Sequence, residues 1–251
     1  MNRKLLCAVN ITLCLIFVLA LSITAALSSD FDESAGTVSQ SAAEDLNHDW
    51  AFFLINNKNP LPEDYEPELM VIEFPDDESD FGRGNFELDA RCVGYANEML
   101  KAAKLDGVRL SVVSAYRSRQ RQDETFRSYV DRLMRENYSQ SEAVIYTASQ
   151  IALPGASEHN AGLALDILSE DWFLYNNDVT DSFDQTPEFK WLEKNSWKYG
   201  FILRYPKGME EITGFIYEPW HFRFVGIDRA EQIYNSGFTL EEYIERYPLS
   251  P

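Results

Sequence analysis

The stretch Ser157-Glu158-His159-Asn160-Ala161-Gly162-Leu163-Ala164-Leu165-Asp166 decides how this chain folds. Its first half is turn chemistry that ends on Gly162, and its second half alternates as a strand. Leu163, Leu165 and Ile167 share one face of that strand, with Ala164 and Asp166 on the other. A carboxylate in so apolar a strand is costly to bury unless it is paired or binds a cation. The segment therefore predicts a core strand, residues 163–168, that carries Asp166 to a site, with His159 in the turn just ahead of it.

Upstream of this stretch, apolar and small residues recur at helical spacing over residues 88–105, and Gly107 follows the last of them. Residues 108–113 alternate as a strand, with Val108, Leu110 and Val112 on one face. That strand leads into Ser114-Ala115-Tyr116-Arg117-Ser118, and polar residues gathered at a strand end mark a site. Residues 119–136 and 141–151 read as helices, and residues 69–74 as a short strand. Downstream, Thr186 and Pro187 open a helix that runs to about residue 198 before Gly200. Residues 201–203 and 222–225 read as strands, and residues 228–235 and 240–246 as closing helices. Strands and helices mixed without a βαβ rhythm predict an α+β fold: one domain, residues 50–251, with a small, mainly antiparallel central sheet flanked by helices.

Ahead of that domain, Arg3 and Lys4 precede an apolar run over residues 5–27 in which Asn10 is the one strongly polar side chain. The run is long enough to span a bilayer, so residues 1–27 are expected to be a signal anchor with the domain outside the cytoplasm. Small residues at Thr24-Ala25-Ala26 leave a cleaved signal peptide and a secreted product as the alternative. Residues 28–49 are expected to form an acidic, flexible spacer, in which His48 has no evident task. Cys92 is the one cysteine beyond residue 27, so no internal disulfide is expected, and its apolar-periodic surroundings predict a buried, inert thiol. The net charge of -19 argues against nucleic acid as a partner, because phosphate binding draws on lysine and arginine.

A second segment, Tyr217-Glu218-Pro219-Trp220-His221-Phe222, places a carboxylate three positions before a histidine. Pro219 discourages a helix interior, so the pair can face one site only through a local turn. Together, His159, Asp166 and His221 make two imidazoles and one carboxylate, a set that suits one catalytic zinc ion with an open fourth position. Glu218, close to the metal but not bound to it, is then free to take a proton from an attacking water and pass it to a departing amine. Arg117 supplies a cation for a developing oxyanion or for a substrate carboxylate.

These residues carry a resemblance. The chain resembles the D-alanyl-D-alanine carboxypeptidases of the VanY type, in peptidase family M15 with its Hedgehog-like zinc fold. The resemblance rests on Ser-x-His-x-x-Gly-x-Ala-x-Asp at residues 157–166, on Glu-Pro-Trp-His at residues 218–221, and on Ser-x-Tyr-Arg-Ser with a following Gln at residues 114–122. Looser similarity extends to the Asn-Pro-Leu-Pro segment near Pro60, to residues 199–206 and to Gly226. It implies zinc on His159, Asp166 and His221, Glu218 as general base and acid, and Arg117 on the substrate carboxylate or the oxyanion. It further implies that Ser157 helps seat the peptide terminus and that Gln122 and Ser114 line the same pocket. The implied partner is a peptidoglycan stem peptide ending in D-Ala-D-Ala, met by a monomeric catalytic domain. Ala115 and Asn160 stand where Gly and Gln are frequent in the family, which leaves specificity open. An L,D-carboxypeptidase, a D,D-dipeptidase or an endopeptidase of the same fold would share this chemistry. A non-catalytic wall-binding module would need a fourth protein ligand to close its metal site, and no suitable residue stands out.

Overall fold

The computed structural model describes residues 48–74, 85–169, 172 and 179–248. The expected anchor, nearly all of the expected spacer and the acidic run at residues 76–80 lie outside the described residues. No helix among the described residues is long and apolar enough to cross a membrane.

Strands β1 (Leu69–Val71) and β2 (Glu87–Asp89) pair antiparallel, and β2 runs directly into helix α1 (Ala90–Leu105). Asp89 caps that helix by accepting from the backbone N–H of Arg91, so the helix starts two residues later than the apolar spacing suggests. Its inner face buries Cys92, Val93, Ala96, Met99, Leu100 and Ala103. Burial pushes the Cys92 thiol far up, so it packs as a small apolar group, as expected.

Next come β3 (Leu110–Ser114), then α2 (Arg119–Arg135) and α3 (Gln140–Ala148). Helix α3 ends three residues earlier than its sequence pattern suggests. Ser139 and Glu142 form a capping box at its start, and the Gln150 and Ile151 N–H groups turn back onto the Thr147 carbonyl. The remaining elements are β4 (Ala164–Ser169), α4 (Pro187–Asn195), β5 (Phe201–Leu203), the short α5 (Glu210–Thr213), β6 (His221–Phe224), α6 (Ile227–Ser236) and α7 (Leu240–Arg246). Helix α4 also stops short of the expected end, because residues 196–199 tighten into a 3-10 turn that Gly200 closes with a positive φ.

Among the described residues the central sheet has the order β3-β4-β6-β5, every neighbouring pair antiparallel. This agrees with the α+β expectation. All six residues of β4 are buried, and of the face with Ala164 and Asp166 only the Asp166 side chain reaches the cleft. In β3, likewise, Ser111 is buried beside Val112, and a register shift between Val112 and Ser114 breaks the simple alternation.

His48 also departs from its expected place. It is buried, its Nε2 lies 3.0 Å from the Tyr95 hydroxyl, and its ring packs edge-on against Phe224. The domain therefore already includes the start of the 3-10 turn His48–Ala51, which the Asp49–Arg229 ion pair ties to α6.

Candidate metal centre and active site

Sheet register makes the first contact of the site. Asp166 on β4 lies opposite Ser114 of β3 on one side and His221 of β6 on the other. Directly opposed residues hold their Cβ atoms about 4.5–5.5 Å apart, so the carboxylate and the His221 imidazole meet without any loop having to bring them together.

His159 arrives through the turn ahead of β4. Residues Glu158–Ala161 form one 3-10 turn, and the Ser157 side chain caps it by accepting from the His159 N–H at 3.3 Å. Gly162 closes the turn at φ 67°, and a Cβ there would stand 2.7 Å from the Asp89 backbone nitrogen. The Ser-x-His-x-x-Gly spacing is thus one capped turn: a cap, a candidate ligand and a residue that alone fits the left-handed exit against the end of β2.

One donor atom from each of His159, Asp166 and His221 lies within 4.8 Å of the others. His159 Nε2 is 3.3 Å from Asp166 Oδ2, and His221 Nδ1 is 3.1 Å from Asp166 Oδ1. The outward-facing nitrogens are both engaged. His159 Nδ1 lies 2.7 Å from the Ala115 carbonyl oxygen, which can only accept, so the proton sits on Nδ1 and the Nε2 lone pair faces Asp166. His221 Nε2 lies 3.1 Å from Glu158 Oε2.

The charges agree with a cation site. Burial opposes ionisation of Asp166, yet the His159 and His221 contacts hold it well below the usual carboxylate range. Burial lowers the pKa of His159, with Arg117 and His221 adding to the effect against Asp166, so its imidazole is neutral and able to ligate. For His221 burial is outweighed by the Asp166 and Glu158 carboxylates, which push it up to about 9. Two imidazoles and a carboxylate with their donors converging, and a side open to a cleft, fit zinc with a free position.

That cleft has a volume of about 620 Å³. His159, Asp166 and His221 form part of its wall, together with Glu218, Arg117, Ser157 and Gln122. Glu218 Oε2 lies 3.7 Å from His221 Nδ1, and a turn at Pro219 and Trp220 brings the two side chains together. Burial pushes the Glu218 carboxyl up to about 8, with Asp166 and Glu158 adding and His221 and Arg117 opposing. A divalent cation beside it acts in the same sense as Arg117 and draws it back toward the ionised form.

Arg117 is held from behind. Its Nη2 donates to Ser114 Oγ at 2.8 Å, its Nη1 donates to Gln122 Oε1 at 3.0 Å, and Nη2 lies 3.8 Å from Asp166 Oδ2. Gln122 is itself fixed by donating from Nε2 to the Ala152 carbonyl at 2.7 Å. Ser114 is therefore a support behind Arg117 and is not among the side chains that line the cleft, whereas Gln122 both lines it and orients the guanidinium.

Sequence reasoning assigned no role to the layer behind His221. Glu158, Arg204 and Arg223 are all buried there, and Arg204 reaches Glu241 on α7. The signal that flagged Asp166 was present for both arginines too. Arg223 stands inside the apolar run Phe222-Arg223-Phe224-Val225, and Arg204 follows Phe201-Ile202-Leu203.

Residues 85–227 match the VanY D-alanyl-D-alanine carboxypeptidase family. A D-alanyl-D-alanine carboxypeptidase of Enterococcus faecalis is 35% identical over 196 residues, a match that covers 78% of this chain and 66% of that relative, just short of two thirds of its length. Among solved structures, VanYB in complex with D-alanine-D-alanine has a TM-score of 0.67 at 34% identity, over 79% of this chain and 99% of that one. The VanY D,D-pentapeptidase from a VanB-type resistance cassette, solved with Zn(II), has a TM-score of 0.65 at 34% identity, over 78% of this chain and 99% of that one. The LdcB LD-carboxypeptidase has a TM-score of 0.62 at 37% identity, over 76% of this chain and 84% of that one. With the match spanning the strand order, the turn of His159 and the segment of Glu218, the chain belongs to the VanY family of D-alanyl-D-alanine carboxypeptidases.

Proposed function

We propose that this protein is a zinc-dependent carboxypeptidase that removes the terminal D-alanine from peptidoglycan stem peptides ending in D-Ala-D-Ala. The observation that carries the reading is the convergence of His159, Asp166 and His221 in the wall of a cleft that also holds Glu218 and Arg117. The match to solved relatives that hold Zn(II) or D-alanine-D-alanine supports the choice of metal and substrate.

In this reading His159, Asp166 and His221 hold the zinc. Bound there, the metal supplies a Lewis acid at the scissile carbonyl and lowers the pKa of a water beside it. Glu218 takes the proton from that water as its oxygen bonds to the carbonyl carbon, and then delivers it to the nitrogen of the departing D-alanine as the C–N bond breaks. Arg117, braced by Ser114 and Gln122, pairs with the terminal carboxylate and so fixes the last peptide bond over Glu218. Ser157 lines the cleft with its hydroxyl capping the turn of His159, and in this reading it helps seat the peptide terminus. The protein acts outside the cytoplasm on cell-wall peptide, held by the segment at residues 1–27 or released after its cleavage.

The test is mass spectrometry of a synthetic pentapeptide stem incubated with the full chain, after chelation and again after zinc is restored. Loss of one alanine that requires zinc is the expected result. An intact pentapeptide beside a trimmed tetrapeptide would shift the reading to L,D-carboxypeptidase, the activity in the name of the LdcB neighbour. No change in either peptide would overturn the enzymatic reading.

Arg117→Gln carries a narrower expectation. A charge-assisted hydrogen bond is worth about 1.5–3 kcal/mol, so the variant is expected to lose about 10–100-fold in kcat/KM on a peptide with a free C-terminus. Steady-state kinetics on the free acid and on its C-terminal amide check the assignment. An equal loss on both peptides would mean that Arg117 does not read the carboxylate.

A further inference from the structure

We propose that Glu158 is the positioning residue of the metal centre: it fixes the ring orientation and the tautomer of His221, so that Nδ1 alone presents a lone pair to the metal. The proposal rests on the reading above that His221 is a ligand.

The argument starts from what an ionised carboxylate can do. It accepts hydrogen bonds and donates none, so the imidazole nitrogen 3.1 Å from Glu158 Oε2 must carry the hydrogen. That nitrogen is Nε2. Nδ1 lies 3.1 Å from Asp166 Oδ1 on the side of the cleft where His159 and Asp166 point, so a cation held between these donors would displace any hydrogen there and take the Nδ1 lone pair, while Nε2 keeps its hydrogen against Glu158. The His221 ring is also confined by its neighbours, with the His159 ring edge-on at 4.9 Å and the Tyr205 ring tilted against it at 4.9 Å.

Glu158 is itself immobile. Arg204 Nε donates to its Oε1 at 2.7 Å, and Arg223 Nη1 lies 3.0 Å from the same oxygen as an ion pair. The side chains of Glu158, Arg204 and Arg223 have no exposed surface. Neither arginine can swing away. Arg204 is clamped through both terminal nitrogens by Glu241 at 2.8 and 2.6 Å, and Arg223 Nη2 donates to the carbonyls of Ala51 and Phe53 at 2.8 and 3.1 Å. One carboxylate oxygen therefore belongs to the two cations, and the other is left for His221.

The two histidines consequently differ in their outer partners. His159 donates to a neutral backbone carbonyl, that of Ala115, whereas His221 donates to a charged carboxylate. A carboxylate partner raises the basicity of a ligating imidazole, and loss of such partners typically weakens metal binding about 10–100-fold. A buried ion network is weak evidence for stability, since apolar residues of the same volume often serve that purpose as well. A role in aiming His221 accounts for the placement of this network directly behind a ligand.

The experiment is a pair of measurements on the full chain. Zinc dissociation constants are obtained by competition with a chromophoric chelator for wild type and Glu158→Gln, with far-UV circular dichroism to establish that the variant is folded. Long-range 1H–15N spectra of zinc-loaded wild type report the His221 tautomer. The expected results are a variant that binds zinc about 10–100-fold more weakly and a His221 ring protonated at Nε2. A purely structural role would lower the melting temperature and leave the zinc constant of the folded variant where it was. A folded variant with unchanged zinc affinity overturns the proposal, and so does a His221 ring protonated at Nδ1. Should the variant fail to fold, the tautomer in wild type decides alone. If wild type binds no zinc, the metal-site reading itself fails, a result distinct from zinc bound equally by both proteins.

Discussion

Replacing Glu218 by Gln is expected to lower kcat on a D-Ala-D-Ala peptide by about 10²–10⁴-fold, the usual contribution of a positioned acid–base group, while zinc binding and the fold are retained. The side chain is buried and lies in the cleft wall 3.7 Å from His221 Nδ1, close to the proposed ligands but outside their convergent set. Gln keeps the shape and the capacity to hydrogen-bond but cannot take up a proton. Kinetics with a saturating peptide, beside a zinc titration of the same preparation, separate the two roles. A variant that loses zinc along with activity would make Glu218 a ligand. A variant with near-normal kcat would remove it from proton transfer and send the search to another base in the cleft.

Arg204→Met is expected to have the largest effect on stability. Removing one partner from a buried ion network strands the others, at a typical loss of about 3–5 kcal/mol. Arg204 has no exposed side-chain surface, and it holds Glu158 at 2.7 Å and Glu241 at 2.6 Å. In a domain of this size such a loss lowers Tm by roughly 10 °C. Thermal unfolding of the variant beside Arg204→Met combined with Glu241→Gln tests the mechanism, because coupled partners lose less together than the sum of the single changes. A drop below about 1 kcal/mol in the single variant would mean that the network is not a stabilising unit.

The same network sets a pH dependence. For Glu158 burial favours the neutral acid, but Arg204, Arg223 and His221 outweigh it and hold the carboxyl far below its usual range. A depressed folded-state pKa adds stability above the ordinary carboxylate range, and that stability is lost as the pH falls through and below it.

Much of the fold was legible because its signals are local. The helical spacing of Val93, Ala96, Met99, Leu100 and Ala103, the cap and proline at Thr186 and Pro187, and the positive-φ glycines after helices all act within a few residues. Helix ends were read with errors of a few residues. Whether residues 196–199 continue α4 or tighten into a 3-10 turn depends on packing, which leaves little trace in propensity.

The candidate site divides in the same way. Donor chemistry is a property of residue type, so His159, Asp166, His221, Glu218 and Arg117 could be singled out from two short segments and a strand end. An ionisable group in an apolar strand demands a partner, and the sequence by itself determined that such groups were present. Which partner each one took was settled only by the tertiary structure. Register placed Asp166 opposite His221, a capped turn aimed His159, and Ser114 and Gln122 became braces for Arg117. Glu158 found Arg204 46 residues away, and Arg204 found Glu241 37 residues further on. Pairings over such separations are chosen by the closing of the sheet and the docking of the last helix, and no spacing along the chain encodes them.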